Sequence, residues 1–176
     1  TQALSYSQGV QYGRAMIRRI STYLVKHLPG FEQAYLSKEA GMLGARESFR
    51  IRGKYYLTEA DYYARTTFAD AVVKNAYYID AHGEKVGEYL KKGQFYEIPF
   101  RALVCKEISN LAVAGRCISA SFIMEASLRI QPICMSMGEA AGIAAAWASR
   151  CRIALNMVQW NKIPAQQRSY VSKKTK

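Results

Sequence analysis

The chain has 176 residues, of which 50% are hydrophobic and 22% charged, enough for about one domain with a real core and too apolar for a disordered segment. Its formal net charge is +12, and the surplus is uneven: residues 1–88 hold 12 basic and 9 acidic side chains, residues 89–176 hold 13 and 4. Arg129 and Glu139 interrupt the most apolar stretch, so no run reaches the roughly 18 residues of a membrane span and no membrane partner is implied.

Residues 1–9 are polar and lack both an initiator Met and the basic-then-apolar layout of a signal peptide, which reads as a processed chain or a piece of something longer. From Tyr12 to Leu28, apolar residues at Ala15, Met16, Ile20, Tyr23, Leu24 and Leu28 alternate with Arg14, Arg18, Arg19 and Lys26. This predicts a surface amphipathic helix that stops at Pro29-Gly30. Residues 34–57 mix loop and strand. Thr58 followed by Asp61 predicts a helix cap and a short helix to about Arg65. Ala71–Val73 and Ala76–Ile79 predict two strands or one bent one. Pro99 makes the stretch 95–104 an edge strand or an extended crossing segment. Leu111–Ala114 predicts a strand, Gly115-Arg116 a turn, and Pro132 the first position of a long helix to Ser149. The last predicted helix, Leu155–Gln167, is interrupted by Pro164.

The helix beginning at Pro132 carries Gly138, Ala141 and Gly142. The two glycines lie one turn apart, so one stripe is nearly bare and admits a neighbouring backbone or a cofactor. Its first turn presents unpaired N–H groups and a partial positive charge, suited to an anion. Ordinary close packing of a helix on a sheet explains the same stripe. Among side chains able to do chemistry, Arg46, Glu47, Arg50 and Arg52 alternate along the chain, an arrangement that lines a pocket or a solvated strand face. His82 follows Asp80 by two positions and is the better placed of the two histidines for proton transfer; a surface position is the plainer reading. His27 ends a basic helix, where its charge favours the helix dipole.

Cys105, Cys117, Cys134 and Cys151 are 12, 17 and 17 positions apart, without the short gap of a zinc knuckle, so no metal site is expected. Buried thiols favour a reducing, cytoplasmic setting. There is no G-x-G-x-x-G, P-loop, G-x-S-x-G or H-E-x-x-H sequence. The basic second half supports an alternative function, a module binding nucleic acid or an acidic protein. The paired tyrosines 55–56, 62–63 and 77–78 show no RNA-binding pattern of aromatic and basic residues and do not decide the matter; nucleic acid is not the expected partner.

Five motifs in order carry a resemblance: Gly44-Ala45-Arg46-Glu47-Ser48-Phe49-Arg50-Ile51, Tyr56-Leu57-Thr58-Glu59-Ala60-Asp61, Ile79-Asp80-Ala81-His82, Tyr96-Glu97-Ile98-Pro99-Phe100-Arg101-Ala102-Leu103, and Asn110–Ala120 with Ala126–Gly142. Together they resemble the C-terminal part of the FAD-dependent oxidoreductase family related to glutathione-reductase-type flavoproteins. The resemblance implies an α+β or α/β fragment: an N-terminal amphipathic helix (1–30), substrate- or cap-domain strands (31–108), the final strand and helix of an FAD-binding Rossmann-like domain (109–150), and a C-terminal helix with a basic tail (151–176). It implies that the Gly-rich ADP-binding βαβ unit is a missing N-terminal half. FAD and an organic substrate are the implied partners. Gly115, Arg116, Arg129, Pro132, Gly138, Ala141 and Gly142 are the implied cofactor-binding residues, and His82 and Arg46, singled out above on their own surroundings, are the candidate catalytic ones. Phe122 and Ile123 stand where related sequences place His and Glu, so no acid–base pair is expected there. Cys105 stands where a Pro is usual.

Overall fold

The computed structural model describes residues 3–46, 49–81 and 89–172. The chain divides into two units, Thr1–Ala45 and Arg46–Lys176.

The first unit is a helix, α1 (Ala3–His27), with an irregular return segment. The helix starts nine residues before the apolar spacing does, because the polar stretch before Tyr12 contains nothing that breaks a helix except Gly9, whose missing Cβ would sit 3.1 Å from Leu43 Cδ2. At the other end Gly30 adopts φ +91° and its N–H donates to the Glu32 carboxylate at 3.0 Å. Arg14 and Arg18 both reach Glu39, at 3.4 and 3.6 Å, and the Leu43 N–H donates to the Tyr6 hydroxyl at 3.0 Å. No residue of α1 is fully buried.

The second unit holds the core. Helix α2 (Glu59–Ala64) forms as the Thr58/Asp61 spacing predicts: the Asp61 carboxylate accepts from the Thr58 N–H at 3.0 Å and from the Tyr55 hydroxyl at 2.7 Å. Strands β1 (Ala71–Asn75) and β2 (Tyr96–Pro99) pair antiparallel, with a bulge between Ala71 and Val73. Helices α3 (Phe122–Leu128) and α4 (Gln131–Cys151) follow, and α4 packs on β1. Leu57, Ile98, Leu103, Met124, Met137 and Trp160 are among the side chains with under 2% exposure. The fold is therefore mixed helix with a small sheet, an α+β arrangement.

Three expectations change. The stretch Ala76–Ile79 is not a strand, because the Asn75 side chain takes the Tyr77 N–H at 2.8 Å and turns the chain out of the ladder. Leu111–Ala114, the anticipated final strand, makes one bridge, Val104 with Ala112. Its two backbone bonds, Cys105 N–H to Leu111 and Val113 N–H to Leu103, lie on one side, and a bridge of that length does not make a strand. The anticipated C-terminal helix is three separate 3₁₀ turns, Leu155–Met157, Trp160–Lys162 and Ala165–Gln167. Val158, Trp160 and Ile163 enter the core from it; in a continuous α-helix Trp160 and Ile163 would share a face while Val158, two positions before Trp160, would point away from it. Helix α3 was not anticipated; Ser121 caps it, its Oγ accepting from the Met124 N–H at 3.1 Å.

Residues 51–57, 102–106 and 117–120 interleave through isolated bridges, Gly53 with Cys105 and Leu57 with Ala120. A Cβ on Gly53 would lie 2.6 Å from Ser119 Cβ and 3.1 Å from the Arg101 carbonyl oxygen, so only glycine fits. Gly53→Ala should lower stability by about 1–3 kcal/mol, and adding Ser119→Gly should restore part of the loss in urea unfolding. Burial first, and the hydrogen bond to Asp61 second, push the Tyr55 phenol up to about 12 from its usual 10. Its folded pKa lies above its unfolded one, so its contribution to stability is complete below pH 10 and is lost as pH rises from 10 towards 12. Tyr55→Phe should flatten the fall of stability across that window, measured by urea midpoints at successive pH values.

Candidate functional site

The turn Gly115–Cys117 and the first turn of α4 form the candidate site. Ala114 is extended and Gly115 turns at φ +79°, a conformation that favours glycine. A Cβ there would sit 3.7 Å from Cys134 Sγ, so the turn abuts the start of α4. The residue before α4 is Ile130, which has no side-chain acceptor, and nothing on a side chain caps the helix. The first i→i−4 bond is Cys134 N–H to Ile130 at 3.0 Å; the N–H groups of Gln131 and Ile133 precede it, and Pro132 has none. Gln131 and Pro132 are exposed. A 21-residue helix therefore ends in an open, uncapped, partially positive terminus.

Arg129 closes α3 one residue before Ile130. Its side chain is only 13% exposed; Nη2 donates to the Asp80 carbonyl at 3.0 Å and lies 3.6 Å from the Asp80 carboxylate. The 75–80 loop that carries Asp80 is itself pinned from within. The Asn75 amide donates to the Tyr96 hydroxyl at 2.7 Å and to the Ser127 carbonyl at 3.1 Å. The Ser127 hydroxyl donates to the Tyr77 carbonyl at 2.7 Å and sits 2.7 Å from the Tyr96 hydroxyl. Burial above all pushes the Tyr96 phenol far up, so it stays neutral. Nothing in the periodicity marks Asn75, Tyr96 or Ser127; the one available signal was an Asn at a strand end, a turn former.

Arg116 is exposed. The Cys134 thiol is pushed up by burial first and by the Glu125 carboxylate second, with Arg116 acting against both, which places Arg116 and Glu125 each within electrostatic reach of Cys134. Glu125 is wholly buried in α3, two positions beyond Ile123, which with Phe122 stands where the family resemblance would place a His and a Glu. The Cys117 thiol contacts the Ala114 carbonyl at 3.5 Å.

Gly115, Arg116, Arg129 and Pro132 thus gather around the amino end of α4. Gly138, Ala141 and Gly142 do not join them: at a rise of about 1.5 Å per residue, Gly138 lies roughly 10 Å and Gly142 roughly 16 Å along the helix from Gln131. The close approach anticipated at the two glycines is made by nothing among the described residues, since a Cβ on either meets no atom within 4 Å. Helix α4 buries Ile133, Met137, Ala140, Ala144 and Ala148, and the glycine stripe is on the opposite face, with 74%-exposed Met135 beside it. Arg46 is exposed in an irregular segment. Arg50 and Arg52, not Arg46, line a cleft with Phe49, Tyr56, Lys106 and Ser119. His82 lies outside the described residues. Among the described residues no group of three or more His, Cys, Asp or Glu is arranged to hold a metal, and no helix is long and apolar enough to cross a membrane.

Residues 1–167 match the model of the FAD dependent oxidoreductase family. The chain belongs to the FAD-dependent oxidoreductase family. No curated protein and no solved structure matches it. Membership makes FAD the cofactor and redox chemistry the class of activity. The donor set at the start of α4 suits such a group: open N–H groups, a helix dipole and an exposed arginine match an anionic or carbonyl edge.

The bare stripe yields a direct test. Both glycines are interior to a helix with open space at the Cβ position, so Gly138→Ala and Gly142→Ala should each stabilise this chain by about 0.5–1 kcal/mol, read as higher urea midpoints. A loss of stability would show that a neighbour already covers the stripe.

Proposed function

We propose that this chain is the C-terminal portion of an FAD-dependent oxidoreductase that moves hydride or electrons between an organic substrate and the flavin. In this reading residues 31–108 belong to the substrate or cap region, and residues 109–150 complete a Rossmann-like FAD domain of the glutathione-reductase type. The observation that carries it is the uncapped, exposed amino end of α4 beside the Gly115–Cys117 turn, in a chain whose family uses FAD. The sequence has no Gly-rich phosphate loop of its own, so the proposal requires another segment or chain to hold the pyrophosphate.

When bound, FAD supplies the site that accepts or returns the electron pair. The chain's own residues would bind and tune it. The N–H groups of Gln131 and Ile133, at the amino end of the helix, would hold an anionic or carbonyl edge of the group, and the helix dipole would favour negative charge there. Gly115 turns the backbone tightly enough for close approach, and Arg116 adds an exposed cation. Arg129, held by Asp80, keeps a second cation at the helix start with little freedom to move. Gly138, Ala141 and Gly142 would serve by letting the rest of the FAD domain approach α4. His82 is our candidate for exchanging a proton with the substrate, and Arg46 for holding it.

Two measurements test the reading. Residues 1–176 alone should retain no stoichiometric FAD through purification, and a yellow protein with one flavin per chain would overturn the requirement for an outside phosphate loop. In the flavin-loaded protein that includes that loop, Arg116→Gln and Arg129→Gln should each lower the flavin's reduction potential and weaken FAD binding by about tenfold, the scale of one charge-assisted hydrogen bond. Unchanged potential and affinity in both variants would remove the amino end of α4 from the cofactor site.

A further inference from the structure

We propose that the cleft between residues 49–53 and residues 106–107 binds a small organic carboxylate with a flat apolar body. The proposal deepens the oxidoreductase reading by assigning a substrate class, and it depends on that reading only for the word substrate. The cleft has a volume of about 560 Å³, within the usual range for a small-molecule site.

Its construction follows from the backbone. Gly53 pairs with Cys105 in an antiparallel bridge, and the Lys106 N–H donates to the Arg52 carbonyl at 2.9 Å. The next rung therefore sets Arg52 against Lys106 on the same face. Like charges directly opposite each other across such a pair repel. Both side chains are exposed, and among the described residues neither forms an ion pair. Arg50 lines the same cleft two positions before Arg52. On its other flank the cleft is fixed by the Ile51 N–H donating to the Cys117 carbonyl at 3.0 Å, so its floor is tied to the turn beside the start of α4. Gly53 admits no side chain because Ser119 occupies that space, so the two segments pack closely at this wall of the cleft.

Phe49 and Tyr56, 80% and 58% exposed, flank these cations, and apolar surface held that far out of a core has a use when a flat ligand covers it. The arrangement calls for an anionic head against Arg52 and Lys106 and a planar body against the two rings. Glu107 also lines the cleft and would repel the phosphates of a long nucleic-acid strand, whereas a single carboxylate can bind away from it. The bounded volume favours a small ligand for the same reason.

The test uses the whole 176-residue chain without FAD, so its outcome is independent of flavin binding. Benzoate, benzamide, inorganic phosphate and a single-stranded oligothymidylate are titrated calorimetrically. Benzoate should saturate one site and bind about tenfold tighter than benzamide, the scale of one charge-assisted contact. Arg52→Gln and Lys106→Gln should each weaken benzoate by about tenfold on the same scale, leave benzamide unchanged and leave the melting temperature within error, since both side chains are on the surface. Phe49→Ala should weaken benzoate and benzamide alike. Benzoate that does not saturate, or binds no tighter than benzamide, overturns the proposal. So does phosphate binding as tightly as benzoate, which would leave the rings no part, or oligothymidylate binding that both cation variants weaken while benzoate is unaffected.

Discussion

The second unit depends on satisfying one buried amide. Asn75 ends β1 with no exposure, and an unpaired amide there would cost on the order of a hydrogen bond's full desolvation penalty, about 1–3 kcal/mol. Its Nδ2 and Oδ1 reach Tyr96 on β2, Ser127 on α3 and the Tyr77 N–H of its own loop. Three elements are thereby fixed to one side chain. The loop it turns delivers Asp80 to Arg129, and Arg129 stands one residue before the cap of α4. The position of the candidate cofactor site is thus set from the core outward.

Helix α4 has two faces with different partners. Ile133, Met137, Ala140, Ala144 and Ala148 bury one face against the unit's own core, with β1 and the Gly115–Cys117 turn as neighbours. On the opposite stripe a Cβ at Gly138 or Gly142 would meet no described atom within 4 Å, and Met135 is largely exposed. Small side chains on the buried face bring the helix close to β1, and small residues on the other face leave room for a second layer. In the proposed function that layer is the rest of an FAD domain. The amino end belongs to neither face, which is why it remains open.

Several features were legible in the sequence because their signal is local. The Thr58/Asp61 cap produces α2 where it was expected, since a carboxylate three residues after a cap meets that cap's own N–H whatever surrounds it. Helix α4 was legible from Pro132 onward, for Pro suits the first turn and the alanines that follow favour helix. Gly115 was legible as a turn. The errors came where partners distant in sequence decide. Whether Leu111–Ala114 becomes a strand depends on a run of consecutive pairs with a distant segment, and it makes only the single bridge between Val104 and Ala112. Leu155–Gln167 read as one helix interrupted by Pro164, yet it forms three short turns, with Trp160 buried at the start of the second and Val158 and Ile163 buried just after the first and second.

By itself the sequence determined the family, through five ordered motifs, along with the basic excess of its second half and the helix that starts near Pro132, because these rest on residue identity and on spacings within one or two turns. Only the tertiary structure decided that Gly115, Arg116, Arg129 and Pro132 gather at one helix end while Gly138 and Gly142 face away from the core. It also decided that Arg52 meets Lys106 across a cleft and that Asn75 and Glu125 are buried. Those are relations between segments tens of residues apart, and periodicity along a chain carries no record of which backbone rung a distant residue will occupy.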